Sequence, residues 1–150
     1  MSYAYQEAGS KMTLAEGLAE YYRVHPEFAG INGFLGQTQE TVKAHDVCHV
    51  IFGLGATSEE ELIVETWTFF GCHLPVKKIV EIPKTKFGIE LIKYFGPFRL
   101  IRRFVLTSPR IIKTMFAAFQ MKKRWPHFDY EPYLNTSLQE IREEFGIRCM

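Results

Sequence analysis

The chain has 150 residues, 47% of them apolar and 15% aromatic, with seven prolines spread along its length, which excludes a disordered or fibrous protein and argues for one globular domain. The net charge of +1 conceals a division: between Lys84 and Arg124 eleven Lys/Arg stand against one acid, Glu90, a local +10 that leaves −9 for the remainder. Cys48, Cys72 and Cys149 show no paired spacing and point to a reducing compartment.

The opening "MSYAYQEAGSKM" has neither the basic-then-apolar order of a secretion signal nor the Arg-rich pattern of a transit peptide. No window approaches ~20 uninterrupted apolar residues, the length that spans a bilayer. The expectation is a cytoplasmic protein, not secreted, peripheral at the inner face of the membrane.

Helix starts and stops outnumber strand alternation, so the expected fold class is all-α, a compact, bundle-like single domain over 1–150 with 1–11 flexible. Thr13 and Glu16 form a capping box for a helix carrying Leu14, Leu18, Tyr21 and Tyr22, which ends near His25-Pro26. A Gly-rich loop leads to a second helix, Thr38 to Phe52, stopped by the glycines of "FGLGATS". A third starts at Thr57 or Ser58 and runs to about Phe70, where "GCHLP" breaks it. Further helices are expected over Lys84 to Phe95, Phe98 to Leu106, Pro109 to Arg124 with Ser108 as cap, and Ser137 to Phe145 closed by Gly146.

The second helix holds the densest chemistry. With His45 at 0° and about 100° per residue, His49 falls near 40°, Asp46 near 100° and Cys48 near −60°, so all four share one side. Val47, Ile51 and Leu54 make the other side apolar as well, which buries the helix. A buried carboxylate and imidazoles need partners, from other side chains or from a metal. The next helix can supply a carboxylate, because His49 lies about one turn before the glycine break and Glu61 about one turn after the restart. Glu59, Glu60 and Glu65 compete with Glu61 on this argument, and Glu60 or Glu61 could instead complete a capping box with Thr57 or Ser58. Two imidazoles with one or two carboxylates suit zinc, and equally iron(II) or manganese. The plainer reading makes both histidines hydrogen-bonded core residues. A phosphohydrolase of the histidine-aspartate class would instead use His25, the His45-Asp46 pair and Asp129, and a helical adaptor would use no metal.

His45-Asp46-x-x-His49, eleven intervening residues and then Glu61 resembles the metal signature of the fourth protein of coenzyme Q (ubiquinone) biosynthesis. The ending "LQEIREEFGI" looks like that family's C-terminus, and "RVHPEF" with "RWPHFDYEPYL" is similar to its shorter bacterial relatives. The chain departs from the pattern in its length and in having Glu60 before Glu61. The resemblance implies an all-helical, usually dimeric fold with a divalent metal, zinc first among the candidates, at His45, Asp46, His49 and Glu61. It also implies a hydrophobic tunnel for a long isoprenoid or polyprenylated ring lipid, and association with other quinone-biosynthesis proteins as organiser. A further implied role is catalyst of an oxidative decarboxylation of the ring. Gly53, one turn past His49, would let a ligand approach, its other role being to end the helix.

The basic half, "KTKFGIELIKYFGPFRLIRRFVLTSPRIIKTMFAAFQMKKRW", interleaves its charges with seven phenylalanine and tyrosine residues. Such amphipathic sequence favours an anionic membrane surface, with Arg99, Arg102 and Arg103 the candidates for a lipid phosphate, and fits equally a core of aromatics beneath an ordinary solvated charged face. No motif that reads RNA or DNA is present, and nucleic acid is not expected as a partner.

Overall fold

The computed structural model describes residues 3–29, 39–74 and 97–149, of which 97–107 are described by their backbone alone. Among them are five α-helices: α1 (Leu14–Val24), α2 (Gln39–Phe52), α3 (Ser58–Gly71), α4 (Pro97–Phe119) and α5 (Leu138–Phe145). Two short strands, β1 (Cys72–His73) and β2 (Trp125–Pro126), pair in parallel with Cys72 opposite Trp125. The fold is thus mostly helical, as expected, with a small strand pairing that no alternation in the sequence announces.

Capping boxes set three helix starts. Thr13 with Glu16, Thr57 with Glu60 and Ser137 with Glu140 each exchange side-chain and backbone bonds reciprocally. Gly146 closes α5 at φ 71°, a left-handed conformation costly for a side chain bearing Cβ. The expected break before Pro109 does not occur: one helix runs from Pro97 to Phe119 with Pro109 inside it. An internal proline costs about 3 kcal/mol, and the long contact of α4 with α3 offsets that cost. The same helix stops at Phe119 rather than Arg124, where the Lys122 N–H turns to the Phe145 carbonyl at 2.9 Å. The helix expected over Lys84 to Phe95 lies outside the described residues.

The core gathers around α2, which packs against α1, α3, α5 and the 3-10 turn Ala4–Gln6. Val47, Val50, Ile51 and Phe52 of α2 are fully buried, and Phe52 stacks on Trp67 of α3 with ring centroids 4.5 Å apart. Helices α1 and α2 approach closely at Gly17, where an added Cβ would lie 2.7 Å from Val50 Cγ1. Tyr5 is buried and donates to the Leu54 carbonyl at 3.2 Å, tying the start of the chain to the end of α2.

Arg142 of α5 completes that end. It is buried, and its guanidinium donates to the carbonyls of Val50 and Ile51 at 2.9 Å each and of Tyr5 and Glu7 at 2.6 Å each. Helix C-termini leave carbonyls without intrahelical partners, and a cation there meets both their lone pairs and the negative end of the dipole. Arg142 therefore fixes where α2 stops, one turn beyond His49.

Candidate metal centre

His45 and His49 leave α2 one turn apart, with their Nε2 atoms 3.1 Å from each other. The Thr57 cap restarts the chain as α3, which carries Glu61 back across α2. Its Oε2 lies 3.2 Å from His45 Nε2 and its Oε1 3.3 Å from His49 Nε2. One carboxylate thus faces both rings, and one ligand atom from each residue falls within 4.8 Å of the others.

Local structure separates the four glutamates that sequence alone left in competition. Glu60 is occupied by the cap, accepting from the Thr57 hydroxyl at 2.7 Å and from the Gly55 N–H at 3.1 Å. Glu65 stands 3.8 Å from His45 Nδ1, the nitrogen that faces away from His49. Glu59 is exposed, which leaves Glu61 as the carboxylate between the rings.

The Gly55 carbonyl, 2.9 Å from His49 Nδ1, can only accept, so Nδ1 carries the hydrogen and Nε2 presents a lone pair. That lone pair, the Glu61 oxygens and His45 Nε2 face one another, an arrangement that either a proton on His45 or a metal ion satisfies. A proton is one occupant. Burial pushes the His45 imidazole down, but the adjacent Glu61 carboxylate, helped by Glu65, outweighs it and raises His45 to about 9. Burial raises Glu61 in turn, and the two imidazoles overcome this to hold it well below the usual carboxylate range.

A metal ion is the other occupant. Bonds of about 2.0–2.2 Å to nitrogen and oxygen around a tetrahedral ion place neighbouring donors roughly 3.3 Å apart; the two imidazole nitrogens here are 3.1 Å apart, and each lies 3.2 to 3.3 Å from a different oxygen of Glu61. The His49 bond to Gly55 is the kind of outer contact that orients a ligating imidazole. His49 is fully buried, whereas His45 and Glu61 keep 25% and 37% of their side chains exposed, so the group opens to one side.

The other expected residues fall elsewhere. Asp46 is buried beside His45, and its Oδ2 accepts from the Tyr22 hydroxyl at 2.9 Å. Burial lifts its carboxyl to about 6 against the pull of that hydrogen bond. His25 sits among the rings of Tyr21 and Phe28, and Asp129 is exposed, so neither joins the His45-Asp46 pair as the phosphohydrolase reading requires. Arg99, Arg102 and Arg103 belong to α4, and the contacts of their side chains lie outside the described residues. Gly53 has φ 69° and ends α2, with Cys149 Sγ and the Gln6 carbonyl where a Cβ would go.

A second group was not anticipated. Cys48, Cys72 and His127 come together beside the first group and are all buried. In the sequence Cys48 falls on the histidine side of the second helix, and no spacing links it to Cys72 or to His127. His73, next to Cys72, is exposed, and His127 is 79 residues from Cys48 in the chain.

Comparison of the chain with protein-family models, with curated proteins and with solved structures returns no match. Fold and site together define a mostly helical protein with two groups of side chains that could hold a metal.

Proposed function

We propose that this chain is a metal-bearing protein that binds a long isoprenoid or polyprenylated ring lipid at an anionic membrane surface, as its resemblance to the coenzyme Q biosynthesis family implies. The observation that carries the proposal is the meeting of His45, His49 and Glu61, three residues of that signature, across the turn between α2 and α3. His45, His49 and Glu61 would hold the ion, with zinc, iron(II) and manganese all suited to two imidazoles and a carboxylate. A bound divalent ion supplies Lewis acidity toward a carboxylate or oxygen species on the lipid ring. Glu65 and Asp46 flank the histidines, and the exposed side of the group faces the approaching ring.

An apolar face supports the lipid part of the reading. Phe69 of α3 and Ile112, Phe116 and Phe119 of α4 are each more than half exposed. Phe119 also meets Phe70 edge-on at 5.7 Å between ring centroids. Arg110 and Lys113 of α4 are also exposed, and Lys122, Lys123 and Arg124 follow the helix in sequence. Among the described residues, no helix is long and apolar enough to cross a membrane, and a peripheral position on α3 and α4 fits that geometry.

Elemental mass spectrometry on the purified protein tests the metal, with the loss of one equivalent expected in His49→Ala and in Glu61→Gln. Lipid mass spectrometry after native extraction tests the ligand. A co-purifying prenylated ring is expected, whereas a bare isoprenyl phosphate or no lipid would overturn the substrate assignment. Sedimentation with anionic vesicles tests the surface, and a dimer that buries Phe116 without binding vesicles would reassign that face to self-association.

A further inference from the structure

The first group leaves Cys48, Cys72 and His127 unexplained. Cys48 Sγ is 3.3 Å from His127 Nδ1 and 4.0 Å from Cys72 Sγ, and the three residues are 0%, 4% and 1% exposed in the order Cys48, His127, Cys72. The 4.0 Å sulfur separation is about twice a disulfide bond of ~2.0 Å, and all three cysteines of the chain are free thiols. Bonds of ~2.3 Å to sulfur and ~2.0 Å to nitrogen place the donors of a tetrahedral or trigonal ion about 3.5 to 4.0 Å apart. The observed edges are close to that range.

We infer that Cys48, Cys72 and His127 form a second, buried site for a thiophilic d10 cation, zinc or copper(I), separate from the His45, His49 and Glu61 group. Two sulfur donors and one imidazole select soft or borderline ions, whereas two imidazoles and a carboxylate accept harder ones. Among the described residues no fourth donor joins the three. The three donors come from distinct parts of the fold: the middle of α2, the start of β1 and the residue after β2. An ion here would clip α2 to the β1 and β2 pairing. Because Cys48 precedes His49, it would also set the rotation of the helix that aims both histidines. The inference does not depend on the lipid-binding proposal.

Cobalt(II) added to the metal-stripped, reduced protein is the test. A sulfur-to-cobalt charge-transfer absorption is expected in the near ultraviolet, retained in His49→Ala and Glu61→Gln and lost in Cys72→Ser. In His49→Ala, where the first group cannot compete, zinc should bleach that absorption at one equivalent, and competition with a chromophoric copper(I) chelator decides between the two ions. The unsubstituted protein gives the primary reading, so misfolding of a variant cannot hide the answer. Absence of a sulfur-derived band in that protein would overturn the inference. So would a disulfide between Cys48 and Cys72, mapped by peptide mass spectrometry of the protein denatured without reductant.

Discussion

At the scale of single residues, the His45 and Glu61 pair makes metal binding a competition with a proton. His45 is raised to about 9, so at neutral pH the metal-free protein carries a proton where the ion would bind. Apparent metal affinity, measured by titration calorimetry, should therefore rise with pH from 7 toward 9 and then level off. Stability of the metal-free protein should move the opposite way. A histidine raised from 6.5 contributes stability that is complete below 6.5 and is lost as pH rises through about 9. Glu61 is lowered from 4.5, so its contribution is present above 4.5 and is lost in acid. Urea midpoints should peak between those limits, and Glu61→Gln should flatten both slopes. Sequence spacing put both histidines on one face, but it could not select Glu61. That selection rests on Thr57, whose cap engages Glu60 and leaves the next residue to turn inward.

At the scale of the elements, short polar contacts decide where helices begin and end. Thr57→Ala removes the cap that engages Glu60 and should cost about 1 kcal/mol in chemical unfolding. It should also weaken metal binding, because the freed Glu60 and the frayed first turn no longer fix Glu61. Arg142→Ala should be more damaging, about 3 kcal/mol or more, because four carbonyls would lose a charged donor in a buried setting. Thermal unfolding would show this as a large drop in midpoint, with Arg142→Lys recovering only part of it, since one ammonium cannot reproduce the guanidinium fork. The cap at Thr13 and the start at Ser137 were legible as residue patterns, because a capping box is a contact between residues three apart, whereas Thr57 stood level with Ser58 until the structure paired it with Glu60. The continuous helix through Pro109 was not, because its stability comes from α3, which is distant in sequence.

At the scale of the whole molecule, charge and exposed apolar surface act together. If α3 and α4 present Phe69, Phe116 and Phe119 to an anionic bilayer, Phe116→Ser should reduce sedimentation with phosphatidylserine vesicles. Raising the salt should weaken the remainder, as surface charges are screened within about 10 Å at 0.1 M. Neutral vesicles should bind less than anionic ones at every salt concentration. A flat salt response would instead assign the face to purely apolar contact, such as a second copy of the chain.

The sequence by itself determined the mostly helical character, the caps, the burial of α2 and the pairing of His45 with His49, because each depends on residues within a few turns of one another. Only the tertiary structure decided that Glu61 lies between those rings, that Asp46 meets Tyr22, and that Arg142 closes α2. It alone brought Cys48, Cys72 and His127 together across 79 residues. Such meetings follow from how helices pack, and packing is set by the summed burial of many side chains. No local pattern in the chain records which distant donors that burial will bring within bonding distance.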